Sequence, residues 1–561
     1  MKVVIVGGVA GGATAAARIR RLNEQAEIVV FERSGFISYA NCGLPYYIGG
    51  VIEDPEELTL QTPESFFSRF RVSMRVRHEV TAIHPDKKAV SVTDLETGEV
   101  FEESYDKLIL SPGAKPTQPR LPGVGLNKLF TLRTVEDTFR IKAYISENHP
   151  KSAVLAGGGF ISLELAENLR ELGMEVTIVQ RPKQLMNPFD PDMAAFIHSE
   201  MRRHGVKLAL GHTVEGFEEK DGGVDVLLKD EAPLHADMVV LAIGVSPDTQ
   251  LAQDAGLELG VKGSIVVNDR METSVPDIYA VGDAVQVKHF VTGQDVLLSL
   301  AGPANKQGRI AADNICGGDS HYTGSQGSSV IKVFDMTAAT TGVNETNAKK
   351  AGLDVDTVIL SPMSHAGYYP GGKVMTMKVV FEKETYRLLG AQIVGYEGVD
   401  KRIDVLATAI RAGLKATELK DLDLAYAPPY SSAKDPVNMA GFMIENIAKG
   451  VLKQWHLADA LPRDGSVTLL DTRTVGEFDG GHIDGFLNIP VDELRERLGK
   501  LDKSKPVYVI CQSGLRSYIA CRILAGNGFE CYNFSGGFRF YDAVMNDRCL
   551  IESATACGMD K

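Results

Sequence analysis

Short, unbroken apolar runs recur along this chain of 561 residues, separated by stretches of mixed polarity. Val3–Val6 and Ile28–Phe31 form one pair near the N-terminus, and Ala153–Ala156 and Val176–Val179 form a second pair. Val507–Ile510 is a fifth run of the same kind. An apolar run of about four to eight residues is typical of a strand buried on both faces of a parallel sheet. Because a longer helical segment separates the runs of each pair, the pattern predicts an α/β fold of strand–helix–strand units.

The first apolar run passes directly into a glycine-rich turn. Gly7 and Gly12 take the first and third glycine positions of a nucleotide-binding turn, Val9 takes the second, and the following strand ends in Glu32. Such a turn lets the backbone approach a pyrophosphate at a helix N-terminus, while the acid binds ribose hydroxyls. We therefore predict a bound dinucleotide. The residues expected to contact it are Gly7, Gly8, Val9, Ala10, Gly12, Glu32 and Arg33.

The second pair of runs repeats this arrangement, which predicts a second nucleotide. Ser162 is small enough to take the third glycine position. The second strand ends in Gln180-Arg181, where an NAD-specific fold would usually have an acid. Arg181 could bind a 2′-phosphate or stack on adenine, so the choice between NADH and NADPH stays open. The residues expected to contact this nucleotide are Gly157, Gly159, Phe160, Ile161, Glu164, Gln180, Arg181 and Gly244.

The helix predicted after the first turn carries a basic face. Thr14, Arg18 and Arg21 follow one another at spacings of four and three, which places them on one side of a helix. A face of this kind is usually solvated. On an acidic chain it could instead bind a phosphate group, and the spacing leaves both interpretations open.

Composition narrows the class of protein. The formal net charge of −14 argues against a general nucleic-acid or membrane-surface partner, and no apolar run approaches the ~18 residues of a spanning helix. The length predicts three or four domains. The first strand leads straight into glycines, so we expect no signal peptide. Seven cysteines, an odd number, then predict free thiols in a reducing cytoplasm, and no metal site is expected.

Three further turns connect the two nucleotide folds and close the first of them: Ser111–Ala114, Ala242–Val245 and Gly282-Asp283. In this order, residues 1–445 resemble the flavoprotein pyridine nucleotide-disulfide reductases. The resemblance implies that the first fold binds FAD, with Asp283 on the ribityl chain, and that the second binds NAD(P)H. The further residues that this resemblance assigns to FAD are Ser111, Pro112, Gly113 and Gly282.

The resemblance also implies the division into domains. Two Rossmann-like domains bind FAD and NAD(P)H, an α+β dimerisation domain follows, and a separate α/β domain ends the chain. The predicted boundaries are 1–114 with 243–325 for FAD, 115–242 for NAD(P), 326–445 for dimerisation, 446–460 for a linker and 461–561 for the last domain.

The segment Asn41–Tyr47 contains a single cysteine, Cys42. Reductases with a redox-active cysteine pair have the second cysteine five residues later, where this chain has Tyr47. The oxidised form of Cys42 is therefore expected to be a mixed disulfide with a small thiol, a persulfide or a sulfenic acid. Together with 301–309, 365–372 and 425–436, this segment resembles the coenzyme A disulfide reductases.

That closer resemblance implies roles for further residues. Tyr426 and Tyr368 would protonate the leaving thiol at an active site completed across a homodimer, although both could be ordinary interface tyrosines. Tyr369 adjoins Tyr368 and could be mistaken for it when this role is assigned from the sequence. A basic residue expected near position 70 is replaced by Phe70, with an arginine on either side. The residues expected to contact coenzyme A are Thr14, Arg18, Arg21, Ser38, Asn41, Arg71, Asn305 and Lys434.

The last apolar run leads into Cys511, and Arg516 opens a helix five residues later. The N–H groups of such a loop favour an anion at sulfur, as a persulfide requires. The segment from Leu469 to Phe538 resembles a rhodanese domain, which implies catalytic roles for Cys511 and Arg516. Cys531 is a candidate resolving thiol. The cysteines expected to be core or surface thiols are Cys316, Cys521, Cys531, Cys549 and Cys557.

Together these resemblances imply an NAD(P)H-dependent flavoprotein that reduces coenzyme A disulfide, coenzyme A persulfide or polysulfide sulfur at Cys42. Cys511 would relay sulfane sulfur to it. Three alternatives stay open. The protein could be an NADH oxidase or peroxidase with a sulfenic acid at Cys42, or a sulfur carrier for another protein. The last domain could also be a non-catalytic binding or sensing module.

Overall fold

The structure, a computed structural model, describes residues 1–556, with side chains to residue 553. The chain forms two compact units. The first contains Met1–Lys183 and Gly205–Gly327, and the second contains Gln184–His204 and the chain from Ser328 onward. The segment Gln184–His204 therefore leaves the stretch predicted as the NAD(P)-binding domain and packs in the other unit.

The N-terminal part of the first unit alternates strands and helices as the apolar runs predict. Helix α3 begins at a capping box in which Thr62 and Ser65 exchange side-chain and backbone hydrogen bonds. The elements are β1 (Lys2–Val6), α1 (Ala10–Leu22), β2 (Glu27–Glu32), α2 (Leu44–Gly49), α3 (Pro63–Phe70), β3 (Ser73–Val76), β4 (His78–His84), β5 (Ala89–Asp94), β6 (Val100–Ser104), β7 (Lys107–Leu110) and β8 (Ala114–Pro116).

The second nucleotide fold follows. Its elements are β9 (Leu129–Thr131), α4 (Val135–Asn148), β10 (Ser152–Ala156), α5 (Phe160–Glu171), β11 (Glu175–Gln180), α6 (Pro191–Arg203), β12 (Lys207–Leu210), β13 (Val214–Lys220), β14 (Gly223–Leu228), β15 (Leu234–Ala236) and β16 (Met238–Leu241). A parallel sheet has the order β12-β11-β10-β16-β9. An antiparallel sheet, β13-β14-β15, packs its apolar side chains with it.

The chain then returns to the first fold and completes its sheet. The returning elements are β17 (Val245–Pro247), α7 (Gln250–Asp254), β18 (Ile278–Ala280), β19 (Val287–Lys288), β20 (Asp295–Val296) and α8 (Ala301–Ile315). Strand β18 joins β7, so the parallel sheet has the order β18-β7-β1-β2-β3. Helix α8 packs along α1. The two predicted dinucleotide folds are therefore both present.

The second unit contains the predicted dimerisation domain. Its elements are β21 (Ser329–Val333), β22 (Met336–Gly342), α9 (Glu345–Lys350), β23 (Val355–Leu360), β24 (Met375–Glu382), β25 (Leu388–Gly395), α10 (Val399–Ala412) and α11 (Pro436–Ala448). The strands form an antiparallel sheet of order β21-β22-β25-β24-β23. Helix α6 contacts β25 of this sheet, which explains why its segment belongs to this unit.

The C-terminal domain also lies in the second unit. Its elements are β26 (Gln454–Trp455), β27 (Thr468–Asp471), α12 (Val475–Asp479), β28 (Leu487–Asn488), α13 (Leu494–Arg497), β29 (Val507–Ile510), α14 (Leu515–Gly526), β30 (Cys531–Phe534) and α15 (Gly537–Ala556). They build a parallel sheet of order β26-β30-β29-β27-β28. The predicted linker, 446–460, thus contains β26, an edge strand of this sheet.

Candidate active sites

The first glycine turn has the close backbone packing that a dinucleotide site needs. Gly7 has φ +95°, and a Cβ atom there would lie 2.1 Å from the carbonyl oxygen of Ser111. The Glu32 carboxylate accepts hydrogen bonds from the N–H of Gly8 at 2.8 Å and of Ser34 at 2.9 Å. This arrangement fixes the acid beside the N-terminus of α1, where it fits the ribose of a bound FAD.

The other residues assigned to FAD converge on this turn. Gly282 lies two residues after β18, and a Cβ atom there would be 3.6 Å from Ser111 Oγ. Asp283 accepts a hydrogen bond from Arg133 at 2.8 Å. The ion pair between Asp283 and Arg133 joins residues 150 positions apart, so no local sequence pattern indicates it. Arg33, by contrast, is exposed and pairs with Asp248.

The second glycine turn repeats this packing and has open space beside it. A Cβ atom at Gly157 would lie 2.1 Å from the carbonyl oxygen of Ala242. No atom lies within 4 Å of a Cβ built at Gly159 or Gly244. The buried hydroxyl of Ser162 has no hydrogen-bond partner within the described residues, and Arg181 is exposed. The turn therefore fits a pyridine nucleotide and leaves Arg181 accessible.

Cys42 lies in a short 3-10 turn, Asn41–Gly43, immediately before α2. Its side chain is exposed. Partial burial, and then the carboxylate of Glu164, raise the pKa of the Cys42 thiol. Tyr47, at the position of the missing second cysteine, is buried, and Lys142 Nζ lies 3.6 Å from its ring centroid. Tyr47 is thus a packing residue, and Cys42 has no resolving thiol in this segment.

A tyrosine and a glutamate form a polar pair near Cys42. The Tyr46 hydroxyl donates to Glu164 Oε1 at 3.3 Å. Burial raises the pKa of Glu164 to about 7, and it also raises the pKa of Tyr46. Glu164 was expected only as a nucleotide contact, and sequence reasoning assigned no role to Tyr46. Their contact joins α2 to α5, which a linear motif cannot indicate.

The predicted coenzyme A face of α1 contains a polar cluster. Thr14 Oγ1 donates to Asn305 Oδ1 at 2.5 Å, so two of the expected contacts lie side by side. Arg18 pairs with Asp313 at 2.7 Å, and Arg21 is exposed.

The neighbouring arginine has a different role. Arg20 is buried and donates to four backbone carbonyl groups, those of Phe70, Arg71, Asn23 and Glu24. The helix therefore separates a structural arginine from an accessible polar face.

The other four expected coenzyme A contacts lie in loops or turns or at helix ends. Arg71 ends α3 with a left-handed backbone, and its guanidinium lies 5.3 Å from the Phe67 ring centroid. Ser38 also has a positive φ of 45°, and Asn41 opens the Cys42 turn. In the second unit, Lys434 is exposed just before α11, which Asp435 caps through the N–H of Val437.

In the second unit the two predicted acid tyrosines meet. The hydroxyl groups of Tyr368 and Tyr426 are 2.6 Å apart. Their side chains are 75% and 45% exposed, and the hydrogen bond from Tyr368 raises the pKa of Tyr426. Tyr369 instead packs edge-to-face on His365. The geometry therefore distinguishes Tyr368 from its neighbour.

The Cys511 loop surrounds its sulfur with donors. Cys511 is 1% exposed, and its Sγ accepts hydrogen bonds from the N–H of Gly514 at 3.1 Å and from Ser517 Oγ at 3.2 Å. Donors of this kind stabilise negative charge on sulfur. Ser517, on the first turn of α14, is a contact that no separate signal in the sequence indicates.

Arg516 is held in a bidentate ion pair. Its two terminal nitrogens donate to the Glu477 carboxylate, each at 2.7 Å, and this pair lowers the pKa of Glu477 to about 2. Beneath it, Arg473 donates to the buried Asp471 carboxylate and lies 3.8 Å from the Phe538 ring centroid. The Arg516 guanidinium is thereby fixed at the rim of the loop.

The remaining cysteines have no such surroundings. Cys521 and Cys531 are buried, and the Cys531 thiol donates to the Cys521 carbonyl oxygen at 3.2 Å. Cys316 is half-buried and Cys549 is exposed. All cysteines within residues 1–556 are free thiols, and Cys557 lies outside the described residues. No helix in the described part of the chain is long and apolar enough to span a membrane.

Three family models match successive parts of the chain. "Pyridine nucleotide-disulphide oxidoreductase" matches residues 1–308, and the dimerisation domain of the same family matches residues 328–436. The chain belongs to the pyridine nucleotide-disulphide oxidoreductase family. A rhodanese-like domain matches residues 455–543. This oxidoreductase family accounts for both nucleotide folds, so the predicted FAD and pyridine nucleotide are confirmed as its cofactors.

Individual relatives match all or part of this organisation. A coenzyme A disulfide reductase of Staphylococcus aureus (strain JH9) is 38% identical over 79% of this chain and 99% of its own length. The structure of reduced Bacillus anthracis CoADR-RHD is 48% identical, with a TM-score of 0.95 and 98% of each chain covered. A NAD-dependent persulfide reductase from A. fulgidus is 37% identical, with a TM-score of 0.91 over 96% of this chain and 100% of its own.

These comparisons confirm the predicted fold class. The oxidoreductase carries two nucleotide folds, a dimerisation domain and a C-terminal rhodanese domain. The rhodanese match begins at residue 455, inside the expected linker, in agreement with the place of β26 in the sheet.

Proposed function

We propose that this oxidoreductase reduces coenzyme A disulfide and coenzyme A persulfide at Cys42, with a reduced pyridine nucleotide as electron donor. One observation carries the proposal: Tyr47 occupies a buried, packed position where a resolving cysteine would lie. Cys42 must then form its disulfide with a thiol from outside the segment. The names of the S. aureus and A. fulgidus relatives support coenzyme A disulfide and persulfide as substrates.

The thiolate of Cys42 attacks one sulfur of coenzyme A disulfide. A Cys42–S–S–coenzyme A bond forms, the substrate S–S bond breaks, and a coenzyme A thiolate leaves and takes up a proton. Tyr426 is the donor of that proton and Tyr368 its hydrogen-bond partner, supplied across a homodimer. FAD bound at the Gly7 turn, once reduced by the pyridine nucleotide, would supply the two electrons that return Cys42 to its thiolate and release the second coenzyme A as its thiol. The cluster of Thr14, Asn305 and Arg18 is the proposed dock for the coenzyme A phosphates.

The rhodanese domain extends the substrate range to sulfane sulfur. A persulfide on Cys511 transfers its outer sulfur to a coenzyme A thiol, which regenerates the Cys511 thiol and forms coenzyme A persulfide. The Cys42 thiolate attacks the inner sulfur of that persulfide and expels hydrosulfide, leaving the same Cys42–S–S–coenzyme A bond. The flexible coenzyme A thiol is the proposed carrier between the two cysteines.

The test is anaerobic oxidation of NADH by the full-length FAD-loaded enzyme. We expect Cys42→Ser to abolish turnover of coenzyme A disulfide and of polysulfide. We expect Cys511→Ser to lower only the sulfide released from polysulfide, and the matched control Cys316→Ser to leave both rates unchanged. Equal sulfide release by Cys511→Ser and the parent enzyme would contradict the relay. Fast turnover of oxygen or peroxide without a response to coenzyme A disulfide would favour the oxidase alternative.

A further inference from the structure

The rhodanese domain covers the open edge of a dimerisation-domain strand. Strand β23 pairs with β24 on one side only, at the edge of its sheet. On its other side, the carbonyl oxygen of Thr357 accepts from Gln454 Nε2 at 2.8 Å, and the N–H of Ile359 donates to Ser535 Oγ at 3.0 Å. Buried backbone groups need such partners. The two domains therefore meet through specific hydrogen bonds.

Charged groups fix the same contact at two more points. His456 Nε2 is 2.9 Å from Asp356 Oδ1, next to the strand edge. On α15, Asp547 is 2.8 Å from His198 Nδ1 and pairs with Arg202, both on α6. His198 and Asp547 are 1% and 6% exposed. Breaking a buried pair of this kind is costly, so the rhodanese domain has a defined orientation on the dimerisation domain.

The contact made by Ser535 lies next to the Cys511 loop. Ser535 is followed by Gly536 and by Gly537, the first residue of α15. Beyond them, the N–H of Phe538 donates to the Cys511 carbonyl oxygen at 2.7 Å, and the N–H of Arg539 donates to that of Gln512 at 3.1 Å. A Cβ atom at Gly537 would lie 2.7 Å from the Gln512 carbonyl oxygen. The turn and the loop are thus packed backbone to backbone.

We propose that strand β23 of the dimerisation domain positions the Cys511 loop, with Ser535 as the positioning residue. The hydrogen bond from Ile359 fixes Ser535, the turn after Ser535 fixes the backbone of residues 511 and 512, and the loop then aims the Gly514 N–H at sulfur. Sulfur transfer at Cys511 therefore depends on a domain that contributes no atom to the loop. The inference rests on the proposed sulfurtransferase role of this domain.

Two variants remove the contact from opposite sides. Ile359→Pro deletes the N–H donor at an outward-facing edge position, where proline is tolerated, and leaves the rhodanese sequence intact. Ser535→Ala deletes the acceptor. In the full-length enzyme we expect each to lower kcat/KM for sulfur transfer from thiosulfate to cyanide by roughly 3- to 10-fold, as the loss of one net hydrogen bond allows. We expect faster amide hydrogen exchange in 511–517 and 535–539, with no change in β29.

Three controls make the outcome decisive. Ile359→Ala loses the same packing but keeps the N–H, and Gln454→Ala breaks the neighbouring contact without touching the turn. Both should retain sulfur transfer within about twofold and parent-like exchange in the loop. Unchanged emission from Trp455, the chain's single tryptophan, which is 5% exposed and packs on Tyr508 and Phe534, shows that the core of the rhodanese domain stays folded.

Parent-like sulfur transfer and loop exchange in both Ile359→Pro and Ser535→Ala would overturn the positioning role. Exchange that rises equally throughout the rhodanese domain would overturn it as well, because general destabilisation would then explain the loss. A parent enzyme that transfers no sulfur from thiosulfate or polysulfide would instead contradict the proposed function, and loop exchange would still test the contact with β23.

Discussion

Cys42 and Cys511 are both single reactive thiols, and their surroundings are opposite. The Cys42 side chain is exposed, and partial burial of its thiol, followed by the charge of Glu164, raises the pKa of that thiol. Cys511 is 1% exposed, and an N–H and a hydroxyl donate to its sulfur. The first site is open to a large partner thiol and stabilises a neutral or disulfide-bonded sulfur. The second site surrounds its sulfur with hydrogen-bond donors, an arrangement that fits a small sulfur group. The difference teaches that one chain can hold two reactive cysteines in separate surroundings, as the proposed division between sulfur transfer and sulfur reduction requires.

The largest expected effect is a loss of stability in the rhodanese domain, which contains Cys511, without an effect on Cys42. Asp471→Ala leaves the Arg473 guanidinium buried without its carboxylate, which should destabilise the rhodanese domain by about 3–5 kcal/mol. Trp455 lies in this domain, so its fluorescence during urea unfolding measures the loss. Reduction of coenzyme A disulfide at Cys42 should persist. An unchanged urea midpoint would show that the buried Asp471–Arg473 pair does not stabilise the domain by this amount.

The next effect concerns proton delivery at Cys42. Tyr426→Phe should lower kcat for coenzyme A disulfide by roughly 100-fold, because general acids contribute about 10²–10⁴-fold. Tyr368→Phe should lower it less, since Tyr368 acts through Tyr426. The double variant should resemble Tyr426→Phe, and Tyr369→Phe is the matched control. Additive losses in the double variant would argue for two independent roles.

A smaller effect tests the electrostatics of Cys42. Above pH 7 the Glu164 carboxyl, with its pKa of about 7, is ionised and disfavours the Cys42 thiolate. Glu164→Gln should therefore lower the Cys42 pKa and increase its alkylation rate at pH 8 a few-fold. The rate ratio to the parent should approach one below pH 6, where Glu164 is already neutral. Mass spectrometry of the Cys42 peptide gives the rate, and a pH-independent ratio would exclude this cause.

The smallest effect concerns the rim of the Cys511 loop. Arg516 depresses the pKa of Glu477 to about 2, so this pair stabilises the fold above the ordinary carboxyl pKa of about 4.3 and loses its contribution as the pH falls through 2. Because the pair is partly exposed, we expect Glu477→Gln to cost about 1 kcal/mol or less at pH 7. Trp455 emission can be used to monitor acid unfolding of the parent and of Glu477→Gln. The difference in stability between the two should disappear near pH 2.

The sequence predicted features that are local in the chain. The turns at Gly7 and Gly157 and the loop at Cys511 are each encoded within about ten residues, because backbone geometry at a turn demands particular residue types there. The sequence also shows directly that no second cysteine follows Cys42 at the spacing of a redox-active pair.

Contacts between distant segments could not be predicted in this way. Asp283 meets Arg133, Glu164 meets Tyr46, and Ser535 meets Ile359 only after the chain has folded. The sequence separation of each pair is no different from that of many residue pairs that do not meet in the fold. The departure of α6 from its nucleotide fold is of the same kind, since its partners lie on β25 and α15. The basic face of α1 was ambiguous because Arg18 is paired and Arg21 is exposed.

The central claim is that Cys42 forms its disulfide with coenzyme A. In the most direct test, the full-length enzyme is treated with coenzyme A disulfide and digested without reductant. Mass spectrometry then gives the masses of the cysteine-containing peptides. We predict one coenzyme A on the Cys42 peptide, removed by NADH, and none on the Cys511 peptide. Coenzyme A on another cysteine, or a Cys42 peptide found only as a sulfenic acid, would contradict the account.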